Sequence, residues 1–321
     1  MALVESVPNV SEGRNTEHIA LLASSIRSVA DVSLLHIDTG MDANRTVFTL
    51  VGPPEAVLQA LFNLYEKSLQ LLDMSQHNGA HPRQGLVDVC PIIPISGISM
   101  NGCIDLAMRL SHRLAIELNI PGYLYEYNAL HFERKNLAFL RKGEYESLPE
   151  KLLKLPPDFG PAENWKRSGI TTLGARNLLV AYNVNLKAGS LKAAQKIARI
   201  LRESGANGQP GKLKSVKAIG WYIKDFDCYQ VSFNLCNLNE THLIEVYLAV
   251  KTEAFKLGIE LNGSELVGLI PKSELLLAAA HFDNLANEEQ AIQVAETELG
   301  LHAVKPFYPK LQILEYAVTE G

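Results

Sequence analysis

The chain has 321 residues, 47% of them apolar and 20% charged, with a formal net charge of -5. That length suits two domains, each able to bury a substantial core. The mild acidity, without a basic block or a Lys/Arg stripe, argues against a nucleic-acid partner, and no run approaches the roughly eighteen consecutive apolar residues that span a membrane. The start, Met1-Ala2-Leu3-Val4-Glu5, has neither a basic flank nor a signal-peptide core, so the chain is expected in the cytoplasm. Four cysteines, Cys90, Cys103, Cys228 and Cys236, sit in apolar surroundings with no C-x-x-C pair and read as free thiols rather than disulfides or metal ligands.

Helix-period and strand-like segments alternate along the chain, the pattern of an α/β protein. Glu17 to Val29 places Ile19, Leu22, Ile26 and Val29 on one helical face, with Asn15 or Thr16 available as N-cap. Strands are expected over Val32 to Asp38 and Thr46 to Val51. Gly52-Pro53-Pro54 ends the second of these and opens a long helix, Glu55 to about Leu72. A strand over Leu86 to Ile95, a helix over Asn101 to Leu118 and a short aromatic strand over Tyr123 to Tyr127 follow. Leu148 to Gly174, rich in proline and glycine, reads as a long irregular connection, and Phe159, Trp165 and Ile170 argue that it is ordered. The pattern then begins again. Strands are expected over Leu178 to Val184, Val216 to Ile223, Tyr229 to Leu235 and Leu266 to Ile270, and helices over Leu191 to Glu203 and Thr241 to Leu257, with two more helices after them. The strand, helix and strand from Thr46 to Ser96 are echoed by those from Tyr229 to Ser273, which points to two subdomains of related construction with a boundary near residue 178.

Two polar segments stand out. Ser75-Gln76-His77-Asn78-Gly79-Ala80-His81-Pro82-Arg83-Gln84-Gly85 lies between an apolar helix and an apolar strand and reads as a rigid surface loop, where function concentrates. His77 and His81 have the spacing of two zinc ligands on a helix, but Gly79 and Pro82 oppose a helix there and no glutamate follows His77, so no metal is expected. A stiff loop that aims one imidazole at a ligand suits acid–base chemistry instead. The second segment is Gly205-Ala206-Asn207-Gly208-Gln209-Pro210-Gly211-Lys212-Leu213-Lys214. Ala206 and Leu213 stand where a phosphate-binding P-loop needs glycine and Ser/Thr, so that reading fails. It is either a helix stop followed by a turn or a loop whose backbone N–H groups and lysines meet an anion.

Several motifs, in order, resemble one family. They are Val7-Pro8-Asn9-Val10-Ser11-Glu12-Gly13-Arg14, Asn44-Arg45-Thr46-Val47, Val51-Gly52-Pro53-Pro54-Glu55, the loop from His77 to Gly85 with Val87-Asp88-Val89-Cys90-Pro91, Pro157-Asp158-Phe159-Gly160-Pro161, and Gln209-Pro210-Gly211-Lys212-Leu213-Lys214. Together they look like the formiminotransferase domain, over essentially the whole chain. No cyclodeaminase domain is expected after Gly321. The resemblance implies an α/β fold (an α+β sandwich) of two similarly built subdomains, residues 1–178 and 179–321. Each would be a mixed β-sheet with helices on its outer face, the two sheets facing across a ligand cleft, in a homodimer. It also implies a tetrahydrofolate-dependent transferase that moves the formimino group of N-formimino-L-glutamate to N5 of tetrahydrofolate, a step of histidine breakdown that feeds one-carbon metabolism.

The family's catalytic histidine falls on His81. Its folate-binding segments fall on Gly160-Pro161-Ala162-Glu163-Asn164-Trp165-Lys166-Arg167-Ser168-Gly169 and on Gly211-Lys212-Leu213-Lys214-Ser215-Val216-Lys217-Ala218-Ile219-Gly220. His81 is expected to shuttle a proton, with Asp38 orienting or steadying its ring, or else capping a turn. Arg45 and Arg83 are candidates for the substrate carboxylates, and Lys212, Lys214 and Lys217 for the folate glutamate tail. A formyl donor, 5-formyltetrahydrofolate itself, or a catalytically silent folate-binding protein remain alternative readings.

Overall fold

The computed structural model describes residues 2–187, 189–224, 226–283 and 287–320. Met1 and Gly321, the outer limits of the two expected subdomains, lie outside the described residues. The chain divides into two compact units, the first ending at Arg176 and the second beginning at Asn177.

The first unit runs β1 (Leu3–Ser6), β2 (Asn9–Val10), α1 (Thr16–Arg27), β3 (Ser33–Gly40), β4 (Arg45–Gly52), α2 (Pro54–Leu71), β5 (Val87–Ser96), α3 (Met100–Glu117), β6 (Gly122–Leu124), α4 (Leu137–Arg141), α5 (Leu148–Lys154), α6 (Trp165–Ser168) and β7 (Thr171–Ala175). Asn15 caps α1 by accepting from the backbone N–H groups of Glu17 and His18, and Pro54 opens α2. The sheet is mixed. β1 and β2 lie antiparallel between β4 and β5, β3 pairs with β4, and β7 and then β6 extend the β5 edge in parallel.

Side chains alternate across strands, so one face of this sheet carries Val4, Val10, Phe48, Leu50, Cys90 and Ile92, which pack under α1, α2 and α3. Arg45, Val47 and Thr49 point to the other face. There the segment between β6 and β7 covers only the β5–β7–β6 end, with Leu140, Leu148 and Ile170 packed on Val89, Tyr123 and Tyr125. The expected irregular connection is therefore partly regular. It holds α5, α6 and the interior strand β7, whose Thr171 and Thr172 are buried. Five residues without an alternating apolar pattern, next to glycines, carry no periodic signal to mark a strand.

The second unit runs β8 (Val180–Leu186), α7 (Leu191–Leu201), β9 (Val216–Ile223), β10 (Cys228–Leu235), α8 (Leu243–Phe255), β11 (Leu261–Val267), α9 (Lys272–Phe282), α10 (Glu288–Leu299), α11 (Pro309–Gln312) and α12 (Leu314–Glu320). Its sheet order is β11-β8-β10-β9, and every pairing is antiparallel, where a mixed sheet was expected. The reason lies in the connections. Each β-α-β crossover leaves a gap that an oppositely directed strand fills, the ferredoxin-like β-α-β-β-α-β plan. The first unit repeats this plan as β5, β1 with β2, β4 and β3. Only the added β7 and β6 bring parallel pairing.

In the second unit Val180, Tyr182, Val184, Val231, Phe233 and Leu266 face the helices. The opposite face carries a polar row. Gln230 Nε2 donates to Asn185 Oδ1 at 2.8 Å and to Glu265 Oε2 at 3.1 Å, Asn183 Nδ2 donates to the same Glu265 oxygen, and Lys305 pairs with its Oε1 at 2.9 Å. The four cysteines are free thiols.

Candidate active site

The 77–85 loop is held by contacts that explain its composition. Gly79 approaches the 41–44 turn so closely that a β-carbon there would collide with the Ala43 carbonyl oxygen. Ala80 N–H donates to Asp42 O, Asn44 Nδ2 donates to Asn78 O, and Ser11 Oγ donates to Gly85 O. His77 spends both ring nitrogens on structure. Its Nε2–H donates to Asn44 O at 2.8 Å and its Nδ1 accepts from Arg83 Nε at 3.2 Å. Burial, with Arg83 nearby, holds its pKa below the ordinary imidazole value, in keeping with a neutral ring.

Arg83 is 6% exposed and its remaining donors are taken. Nη1 meets Glu144 at 2.9 Å and Glu146 at 2.8 Å, while Nη2 meets Glu146 at 2.6 Å and His77 O at 3.1 Å. Arg83, a candidate for a substrate carboxylate, staples the loop to the 144–146 segment.

His81 is half-buried on the sheet face that carries Arg45. Arg45 Nη1 stands 2.9 Å from His81 Nδ1 and donates to Asp88 Oδ2 at 3.1 Å. Arg45 Nε and Nη2 both donate to Asn9 Oδ1. Arg141 Nη2 donates to the same Asp88 oxygen at 2.6 Å, and Gln84 N–H donates to Asp88 Oδ1 at 2.9 Å. Asp88 owes its direction to a register shift. Asn9 pairs with Val89 and Val10 with Val87, leaving Asp88 as the extra residue of a β-bulge, a device that re-aims a side chain.

Burial alone would raise the Asp88 carboxyl, but Arg141 and Arg45 outweigh it and hold it below the usual carboxylate range. Burial, then Arg45 and Arg141, pull the His81 imidazole down to about 4. His81 is therefore neutral near pH 7. With its hydrogen on Nδ1 it donates to Pro82 O, 2.8 Å away, and leaves the Nε2 lone pair as a base. With its hydrogen on Nε2 it accepts from Arg45 and presents an acid. Nε2 makes no hydrogen bond among the described residues.

Asp38, opposite Val47 in the β3–β4 ladder, shares the face with Arg45 but makes no hydrogen bond or ion pair among the described residues. The carboxylate linked to His81, through Arg45, is Asp88. Sequence reading passed over Asp88 and Arg141. The signal for the first was a lone carboxylate inside the apolar run Val87 to Ile93, which requires a cationic partner.

The 160–169 segment docks on the end of the loop. Leu86 N–H donates to Ser168 O and Ile170 N–H to Gln84 O, both at 2.8 Å, and Gly85 bridges Gly169. Gly169 has φ +65°, and a β-carbon there would strike the Gln84 carbonyl oxygen. Trp165 packs on Tyr145 with ring centroids 5.4 Å apart, while Glu163, Asn164, Lys166 and Arg167 are exposed.

In the second unit, the N–H groups of Gly211, Lys212 and Leu213 donate to the carbonyls of Glu203, Ile200 and Leu201. They close the end of α7, so the helix-stop reading of this segment holds and these donors are not free for an anion. Val216 and Ala218 belong to the core. Lys212 pairs with Glu253 at 2.6 Å. Lys214 and Lys217 are exposed and make no ion pair among the described residues. Among those residues no cluster of three or more His, Cys, Asp or Glu is arranged to hold a metal, and no helix is long and apolar enough to cross a membrane.

Fold and site define an α/β protein of two units on one plan, the first carrying a neutral histidine beside a buried Arg–Asp–Arg cluster. The description "Formiminotransferase domain, N-terminal subdomain" matches residues 3–176 and "Formiminotransferase domain" matches residues 181–319. The chain belongs to the formiminotransferase domain family. It is 44% identical over 327 residues to the formimidoyltransferase-cyclodeaminase of Sus scrofa, covering 99% of this chain and 60% of that relative. The chain thus spans about 60% of the length of the bifunctional relatives it matches. It is 38% identical to the glutamate formimidoyltransferase of Streptococcus pyogenes serotype M1, covering 92% of this chain and 98% of the relative, and 36% identical to that of Thermoplasma acidophilum, covering 88% and 92%.

Proposed function

We propose that the protein is a glutamate formimidoyltransferase, moving the formimino group of N-formimino-L-glutamate to N5 of tetrahydrofolate. One observation carries the reading: His81 is neutral, its Nδ1 is held, and its Nε2 is open, in a chain whose full-length relatives bear that name. As N5 bonds to the amidine carbon, His81 Nε2 takes the proton that N5 releases. It returns that proton to the glutamate nitrogen as the old C–N bond breaks, so the ring ends as it began. While Nε2 acts as the base, the Pro82 carbonyl holds the ring by accepting from Nδ1–H, and Asp88 and Asn9 hold Arg45 beside it.

Asp38, on the same sheet face, stands as a candidate to steady the imidazolium. The 160–169 segment, together with the exposed Lys214 and Lys217, stands as the candidate folate contact. A homodimer and a cytoplasmic setting belong to the same reading, and light scattering on purified protein tests the first of these.

The direct test supplies both substrates and detects 5-formiminotetrahydrofolate through an added cyclodeaminase. His81→Ala should lower kcat by roughly 10²–10⁴. A wild-type rate in that variant would sink the shuttle, and turnover of N-formyl-L-glutamate in preference to the formimino donor would replace the reading with formyl transfer.

A further inference from the structure

The charge beside His81 does not balance. Asp88, with a side chain 1% exposed, carries one negative charge, whereas Arg45 and Arg141, 11% and 14% exposed, carry two positive charges on the same carboxylate oxygen. With His81 neutral, the cluster holds a net charge of +1 in surroundings where an uncompensated ion is costly. Hydrogen-bond donors are left over as well. Among the described residues Arg141, with five N–H groups, gives a single hydrogen bond, and its Nε is buried without a partner. Arg83, by contrast, is saturated by Glu144, Glu146 and His77.

We propose that Arg141 and Arg45 form a carboxylate subsite that takes the α-carboxylate of the N-formimino amino-acid donor, with Asp88 as the fixed counter-ion that sets the two guanidinium planes. This inference rests on the transfer reading and names the donor-binding half of that site. Reach supports the donor as the source of the carboxylate. Three bonds separate its amidine carbon from its α-carboxylate carbon, a span of about 3.8 Å at most. Arg45 is 2.9 Å from His81 Nδ1, and Nε2 lies on the far side of the same small ring. A carboxylate on the arginine pair thus leaves the amidine carbon beside Nε2. The glutamate tail of a folate is separated from the reacting N5 by a benzoyl ring and cannot do this while N5 is at Nε2. Binding also changes the base. A carboxylate draws Arg45 away from Nδ1 and cancels the spare positive charge, so the Nδ1–H tautomer is favoured and Nε2 becomes more basic when the donor arrives.

Calorimetric titration with N-acetyl-L-glutamate, which keeps both carboxylates but has no group to transfer, tests the subsite without turnover. Wild-type protein should bind it at least tenfold tighter than its α-amide. Arg141→Gln, checked for folding by thermal melting, should erase that preference, and Arg141→Lys, which keeps the charge without the fork, should retain only part of it. In turnover, Arg141→Gln should raise KM for the donor about ten- to a hundredfold and leave KM for tetrahydrofolate unchanged. Equal binding of N-acetyl-L-glutamate by wild type and Arg141→Gln overturns the proposal, as does a wild type indifferent to carboxylate or amide. A KM effect on tetrahydrofolate instead would assign the arginines to the folate tail. Protein that binds N-acetyl-L-glutamate through Arg141 yet transfers nothing keeps the subsite and removes the transfer reading.

Discussion

The two units share one plan, and their polar sheet faces show what additions to that plan accomplish. In the second unit the buried carboxylate is answered: Glu265 is met by Lys305, Asn183 and Gln230. In the first unit a bulge in β5 turns Asp88 onto the face, the inserted segment between β6 and β7 delivers Arg141, and β4 supplies Arg45. The result is overcharged and leaves donors open. The contrast is one of charge: the Glu265 carboxylate faces one cation, whereas the Asp88 carboxylate faces two.

The sharpest way to break the contrast is Asp88→Ala. Removing the carboxylate strands two buried guanidinium groups, and the cost should be about 3–5 kcal/mol, read from urea unfolding. A loss below about 1 kcal/mol would show that the cluster is not a buried ion network. A glycine pair comes next. Gly169→Ala in the first unit meets a left-handed φ and the Gln84 carbonyl, so it should cost more than the roughly 1 kcal/mol expected for Gly208→Ala, whose φ is +76° but which has open space around it. Equal losses in the same denaturation experiment would place the 160–169 segment off the loop.

The pH profile is a subtler probe. His81 has its folded pKa pulled to about 4 by burial, Arg45 and Arg141, against only Asp88 and the Pro82 carbonyl in the other direction. The unfolded ring takes up a proton near 6.5 and the folded ring does not. Its contribution to stability is therefore complete above about 6.5 and is lost as pH falls toward 4. The acid limb of kcat/KM should lie near pH 4 rather than 6.5, and Arg141→Gln should move it upward. An acid limb near 6.5 in the wild type would contradict this geometry. The smallest effect is expected at Lys214. Lys214→Ala should shift unfolding by no more than about 0.5 kcal/mol and raise KM for tetrahydrofolate a few-fold, whereas an unchanged KM would remove it from the folate contacts.

Much of this was legible along the chain. The apolar periods of α1, α2, α3 and α7 locate those helices to within a residue or two, because a buried helical face repeats in sequence as it does in space. Strands without that repeat were missed. β1 and β2 are too short for a period, β7 is broken by glycine and threonine, and β11 starts at Leu261 rather than Leu266 because its polar first half is paired to β8.

The amino-acid sequence by itself determined the family and the two-part organisation and singled out His81 as the candidate, since these rest on local residue order and on motifs that need no partner. The partners of His81 were decided only in three dimensions. Asn9, Arg45, Asp88 and Arg141 come from four separate stretches. Which carboxylate meets which arginine depends on a one-residue bulge and on where an inserted segment lands, and neither leaves a periodic mark along the chain. Tertiary structure thus tied Arg83 to Glu144 and Glu146 and set Asp88 beside Arg45.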